Sequence, residues 1–225
     1  MKAASHNRPP HLVPGGAGTL TGFRAWAQSD NFPERGVISL INGNILIDIK
    51  PEEVETHNKV HGAIGKGVSS LAEEEDLGEY FWDGVLITNT RAALSTVPDG
   101  MFVKWATWES GRVRLIARKR RPGQFIELRG TPDWVLELVS TSSVQKDTVD
   151  LPILYHRARI PEFWLVDARG EEIDFRILVR QPKKYEISAP RAGWTFSPLF
   201  ECWFRLLRRP NRAGRWNYRL EIKGA

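Results

Sequence analysis

Two acids in this chain of 225 residues stand in settings that call for a partner. Asp99 follows Pro98 at the entrance to the apolar stretch Met101–Ala106, and Glu137 is embedded in the otherwise apolar run Trp134–Val139. Burying an isolated carboxylate is expensive, so Glu137 requires a cation, a metal ion or a hydrogen-bond network. A buried ion pair with an arginine is the structural alternative. Two acids from neighbouring strands beside a lysine form a hard-cation site. Mg²⁺ takes one or two carboxylates and fills its shell with water and phosphate oxygens. Lys146, nine residues after Glu137 and at the expected start of a helix, is the nearest lysine able to reach such a site.

Other chemistries fail on their residues. His57-Asn58-Lys59-Val60-His61 spaces two histidines one helical turn apart, as in zinc proteases, but Asn58 stands where the general-base Glu belongs. Gly62–Gly67 is too short between its glycines for a phosphate loop, and Gly67 replaces the Ser or Thr. No Gly-x-Ser-x-Gly elbow occurs. The single cysteine, Cys202, forms no internal disulfide and excludes a multi-cysteine metal site within one chain.

The chain carries 32 Lys and Arg against 27 Asp and Glu, a net charge of +5. Its distribution says more than its size. Arg112, Arg114, Arg118, Lys119, Arg120 and Arg121 fall in one acid-free stretch, and Arg205, Arg208, Arg209, Arg212, Arg215 and Arg219 in another. Such clusters neutralise phosphates, or else line solvated strand edges. In the first case they border the cleft that holds Glu137. Trp82, Trp134 and Trp194 are the candidates for base stacking, with packing as the alternative.

These residues need a scaffold. Residues 1 to 18, with Pro9, Pro10 and Pro14, read as a flexible tail, and 19–225 as one domain. Leu20–Gln28 has helical spacing with Thr19 as N-cap, and Asn42-Gly43 joins Val37–Leu40 to Ile45–Ile49 as a hairpin. Pro51–Glu75 is helical, with Val60, Ile64, Val68 and Leu71 on one face. Strands follow at Tyr80–Thr88, at Met101–Ala106 and Val113–Ala117 joined by a turn, and at Asp133–Val139. A helix runs from Ser142 or Ser143 to Arg159, with Pro152 in its first turn or at a kink and Asp147 as a cap. Glu162–Val166, Ile173–Val179, Tyr185–Ser188, Phe204–Leu207 and Tyr218–Ile222 complete a mixed α/β sheet. No apolar run approaches the roughly 20 residues of a membrane span. Met1–Gly16 lacks the apolar segment of a signal peptide, which makes the expected location the cytoplasm.

Pro98-Asp99, the run Pro132-Asp133-Trp134-Val135-Leu136-Glu137-Leu138-Val139-Ser140, Lys146-Asp147, Tyr155, and Ile160–Asp167 occur in this order. Together they resemble the Uma-two-type restriction endonucleases, which belong to the PD-(D/E)xK nuclease superfamily. The Ile41-Asn42-Gly43 turn and His57 on the following helix match in order, and the resemblance spans roughly residues 19 to 180. It implies a restriction-endonuclease-like fold and hydrolysis of DNA phosphodiester bonds with Mg²⁺, or Mn²⁺ in its place. It further implies that Asp99, Glu137 and the main-chain carbonyl of Leu138 ligate the metal. A lysine would orient or polarise the attacking water, and His57 would complete the site or touch phosphate. The superfamily lysine stands two residues after the acid, where this chain has Val139. Many members carry it instead on the next helix, where this chain has Leu151, so Lys146 takes the role by elimination and proximity. Arg159 also departs from the pattern, at a turn where the family usually has Gly. Double-strand cutting favours a two-fold homodimer. The rival readings are a catalytically inactive nucleic-acid-binding protein and an interaction protein on the same fold.

Overall fold

The computed structural model describes residues 13–33, 35–49, 51–119 and 121–224. Thr19 has an extended backbone and its hydroxyl accepts from the Gly22 N–H at 3.1 Å, which starts helix α1 (Leu20–Ala27). Of the expected tail, residues 13–18 are described. They turn just ahead of α1 and bury Ala17 beside Phe23 and Leu40, whereas residues 1–12 lie outside the described ones. Strands β1 (Val37–Ile41) and β2 (Asn44–Asp48) pair Ile41 with Asn44. Asn42 and Gly43, at φ 52° and 77°, form the two-residue turn whose positive angles a type I′ hairpin demands.

The long helix opens with a π-helical turn at Val54–Asn58 and continues as α2 (Lys59–Glu74). Its contact with strand β3 (Gly78–Trp82) is very close. A Cβ on Gly65 would lie 2.1 Å from the Trp82 ring, so only glycine admits this approach.

The expected strand Tyr80–Thr88 is in fact two strands in different sheets. The chain turns at Asp83-Gly84, with Gly84 at φ 98°, before β4 (Leu86–Asn89) and β5 (Leu94–Thr96). Strand β6 (Gly100–Lys104) stops two residues early because Trp105 begins a short helix, α3 (Trp105–Glu109). That helix carries the chain to another sheet, so β6 does not pair with β7 (Val113–Arg118). The partner of β7 is β8 (Arg121–Gly130), a strand that its polar composition conceals.

The central strand β9 (Trp134–Leu138) leads into a second π-helical turn, Lys146–Asp150, and then α4 (Leu151–Arg157). Pro152 falls in the first turn of α4, where a missing N–H is harmless. The helix ends in a Schellman motif: Arg159 N–H donates to His156 O at 3.0 Å and Ile160 N–H to Tyr155 O at 3.1 Å. Its left-handed position, φ 64°, is held by Arg159 rather than glycine, at a cost of roughly 1–2 kcal/mol. Strands β10 (Glu162–Asp167), β11 (Asp174–Arg180), β12 (Tyr185–Ile187), β13 (Thr195–Ser197), β14 (Cys202–Pro210) and β15 (Trp216–Gly224) complete the chain.

The mixed α/β class holds, with the strands divided among three sheets. One runs β2-β1-β5-β4-β8-β7, another β12-β11-β10-β9-β6-β3, and the third β13-β14-β15. Each six-stranded sheet contains a parallel pair, β4 with β8 and β9 with β10. The sheet holding β9 is the central layer, and the two-residue period of its strands divides the core. Met101, Val103, Val135 and Phe163 pack with Leu151 and Tyr155 of α4 and with Ile87 and Leu94. Phe102, Trp134, Leu136 and Trp164 face α2 and the third sheet through Ile64, Val68 and Phe204. Glu137 therefore points to the α4 side of the layer.

Candidate active site

Register brings the two acids together. Strand β6 runs antiparallel to β9 with Gly100 opposite Leu136, so the next position places Asp99 beside Glu137. The Asp99 N–H donates to Leu136 O at 3.0 Å, and Asp99 Oδ2 accepts from the Leu138 N–H at 2.5 Å. Leu138 thus meets Asp99 through its amide N–H.

Glu137 has no exposed surface, and its two oxygens have different partners. Oε1 accepts from the Tyr155 hydroxyl, and Oε2 lies 3.3 Å from the Lys146 Nζ. The π-helical turn after β9 brings Lys146 within this reach, and the same ammonium lies 2.9 Å from Asp147 Oδ1. Asp147 is 1% exposed and also accepts from the Ser143 hydroxyl. It is no solvated helix cap, as its sequence position suggested, but a third buried carboxylate of the cluster.

One ammonium among three carboxylates leaves an excess of negative charge. Burial raises the Asp99 carboxyl to about 6, against the pull of His57, Lys146 and the Leu138 N–H. Burial likewise lifts Glu137 well above the ordinary carboxylate range, only partly opposed by Lys146. Desolvation works against the Lys146 charge, but Glu137, Asp147 and Asp99 outweigh it and leave the ammonium firmly protonated. Tyr155 is held protonated by burial and by the Glu137 charge beside it.

The two histidines that fail as a zinc motif converge on Asp99 instead. His57, in the first π-helical turn, places Nε2 3.7 Å from Asp99 Oδ2 and Nδ1 3.5 Å from Glu52 Oε2. His61 donates from Nε2 to the Asp99 carbonyl at 2.6 Å. Both π-helical turns carry site residues, in keeping with the usual placement of such bulges. The sequence alone gives Tyr155 a place in the ordered motif but no role, and His61 only a place in the failed zinc motif. The demand of Glu137 for a donor was the signal that could have found Tyr155.

Among the described residues, no three His, Cys, Asp or Glu side chains converge as a ready metal cage. A hard cation does not require one. Two carboxylates and a main-chain oxygen beside uncompensated negative charge are the oxygen donors Mg²⁺ accepts, and Cys202, the single thiol, packs in the other half of the core.

The basic stretches lie elsewhere. Arg112 pairs with Asp133, which also accepts from Thr107 Oγ1 at 2.9 Å and Lys104 N at 2.8 Å. Arg112 and Arg114 line a cavity that includes none of Asp99, Glu137, Lys146 or His57. Arg118, Lys119 and Arg121 lie at the far end of the β7–β8 hairpin, and Arg120 is outside the described residues. In the second stretch, Arg205 pairs with Glu221 at 2.6 Å and stacks over Trp194, and Arg208 donates to Ala168 and Gly170 carbonyls. Trp134 is core, and Trp82 packs edge-on against His61 and Tyr80.

No helix of the described residues is long and apolar enough to cross a membrane. No curated protein matches the chain. Among solved structures, it is similar to one titled as a putative nuclease belonging to DUF820 from Anabaena variabilis. The two share 19% sequence identity with a TM-score of 0.58, over 81% of this chain and 90% of that one. That likeness speaks to the fold. The family described as Uma2, putative restriction endonuclease, matches residues 22–207, which takes in the hairpin, both π-helical turns, Asp99, Glu137 and the first part of β14, and the chain belongs to that family.

Proposed function

We propose that the protein is a Mg²⁺-dependent endonuclease that hydrolyses DNA phosphodiester bonds, with Mn²⁺ able to replace Mg²⁺. The observation that carries this reading is the buried cluster of Glu137, Lys146, Asp147 and Tyr155 beside Asp99. It gathers negative charge that one ammonium does not neutralise, at a place where two strands present oxygen donors.

The Asp99 and Glu137 carboxylates, with the Leu138 carbonyl, would hold the cation. When bound, it supplies charge neutralisation on the phosphate and on the leaving oxygen. The chain's own groups do the rest. Lys146 stays protonated, so it acts as a fixed donor that orients water near the phosphorus and offsets charge building there. It does not serve as a base. Tyr155 fixes the Glu137 carboxylate by donating to one oxygen, which leaves the other facing Lys146. His57 stands near the same Asp99 oxygen that the Leu138 N–H holds, and His61 anchors the Asp99 backbone. In the reaction the water oxygen bonds to phosphorus, the bond to the leaving oxygen breaks, and a proton ends on that oxygen. Arg112, Arg114, Arg118, Lys119, Arg120 and Arg121 are proposed as backbone contacts, and a two-fold dimer would cut both strands.

The test is conversion of supercoiled plasmid to nicked and linear forms with Mg²⁺, with Mn²⁺ and with EDTA. Cutting that needs the metal and disappears in Glu137→Ala is expected. Metal-independent cutting, or full activity in Glu137→Ala, refutes the assignment.

A further inference from the structure

At the end of α4 remote from Lys146 lies a surface that includes none of the acidic centre's residues and takes in Arg112 and Arg114, proposed above as backbone contacts. One cavity of about 760 Å³ is lined by Arg91, Arg112, Arg114, Arg129 and Arg159. A second, of about 450 Å³, is lined by Arg91, His156, Arg157, Arg159 and Arg180. The two share Arg91 and Arg159, so they lie side by side as one basic track, and no acid lines either. No ion pair to a described residue ties down Arg91, Arg114, Arg129, Arg157 or Arg159. Guanidinium groups gathered without counter-charge repel one another and attract anions, and their planar forks match phosphate oxygens.

The floor of the track is rigid. Asn89 Nδ2 donates to Gly130 O and Thr131 Oγ1, both at 3.0 Å, and to Ala158 O at 3.3 Å. Thr131 Oγ1 donates to the same Ala158 carbonyl at 2.9 Å. The ends of β4, β8 and α4 are thereby locked together, each presenting an arginine. Arg159, common to both cavities, is also the residue that holds a left-handed backbone where glycine would be relaxed. Strain of this kind persists where the side chain is useful.

We infer that this track binds the phosphodiester backbone of a DNA duplex, as an anchoring groove separate from the acidic centre. Its charges are spread over two adjoining cavities and several elements, which suits consecutive phosphates better than one small anion. Along β9, the four steps from Asp133, the partner of Arg112, to Glu137 cover roughly 13 Å, so the anchor lies a few nucleotides from the reacting bond. The choice of DNA rests on the nuclease reading above; the presence of an anion groove does not.

The experiment is fluorescence anisotropy of a labelled DNA duplex in EDTA, titrated across about 50 to 200 mM salt. Arg159→Gly should raise Tm by roughly 2–4 °C through relief of the strained backbone. It should also weaken DNA binding about fivefold to tenfold and reduce the log–log salt slope by about one. A merely structural Arg159 would move stability alone. The triple variant Arg91→Ala, Arg129→Ala, Arg159→Gly should lower the slope by about three. Unchanged affinity and slope in a folded triple variant overturn the inference. So does an intact DNA affinity in that variant together with loss of tripolyphosphate binding, which would mark a small-anion site. A wild type that binds through these arginines yet never cuts leaves this inference standing and removes the nuclease reading. Undiminished binding and cutting by the triple variant do the reverse.

Discussion

Replacing Lys146 with alanine separates two consequences that the cluster geometry ties together. The ammonium lies 3.3 Å from Glu137 Oε2 and 2.9 Å from Asp147 Oδ1. At an effective dielectric near 20, each attraction is on the order of 5 kcal/mol, most of it offset by the desolvation of the three groups. Removing the lysine leaves two buried acids without their cation, a loss of about 3–5 kcal/mol. For a domain of this size that lowers Tm by roughly 10 °C. Glu137 then gains a proton more readily, and Mg²⁺ should restore more stability to the variant than it adds to the wild type. Cleavage should fall by about two to three orders of magnitude, the usual effect of deleting one preorganised electrostatic group. Thermal melts with and without Mg²⁺, beside plasmid cleavage at a temperature where both proteins are folded, read the two effects apart. Wild-type cleavage by Lys146→Ala, with Glu137→Ala inactive, would show that another cation serves the site. An unchanged Tm would show that Lys146 does not neutralise Glu137 at all.

Tyr155→Phe removes one hydrogen bond to a buried carboxylate while keeping the ring in place. It should cost about 1.5–3 kcal/mol in chemical denaturation and reduce cleavage without abolishing it; wild-type stability would contradict the contact. Glu162 is buried, accepts from Trp164 Nε1, Ser197 Oγ and Leu199 N–H, and has its carboxyl pushed up by burial to about 7. The folded protein therefore keeps that proton more tightly than the unfolded chain does. The associated stability is complete below about pH 4.5 and is lost as pH rises through 7, up to about 3 kcal/mol. Glu162→Gln should flatten the decline between pH 5 and 8, as followed by urea midpoints, and an equally steep decline would assign it to other groups. Arg24→Ala strips the bidentate partner, at 2.6 and 3.0 Å, from the buried Glu127. It should destabilise by roughly 3 kcal/mol and increase amide exchange in α1 first; uniform exchange would argue against α1 as a separable element.

Much of this architecture could be read from residues whose local demands agree with the fold. Thr19, Asn42-Gly43 and the Val60, Ile64, Val68 spacing each specify a cap, a turn or a buried stripe by themselves. The buried Glu137 announced its need for partners through its apolar neighbours, and Lys146 followed from distance along the chain. What stayed hidden depends on distant partners. Strand β8 reads as polar because Glu127 is neutralised by Arg24, about a hundred positions earlier. Tyr80–Thr88 looks like one strand because the hydropathy of two short strands in different sheets runs together across Asp83-Gly84. Asp147 and Tyr155 resemble an ordinary cap and an ordinary core aromatic until the π-helical turn brings them to Glu137.

The alternation of the chain between its two large sheets has a consequence for how the molecule comes apart. After β1 and β2 the chain visits the central sheet for β3, goes back for β4 and β5, returns for β6, leaves for β7 and β8, and comes back again for β9. Neither sheet can be assembled from a continuous fragment, and Asp99 and Glu137 flank an excursion into the other sheet. Folding must therefore close long loops before either layer is complete, which makes it slow and dependent on contacts distant in sequence. Unfolding should be a single cooperative event that takes the acidic centre with it, so a protease cut anywhere between β3 and β9 would yield pieces that are folded only as a pair.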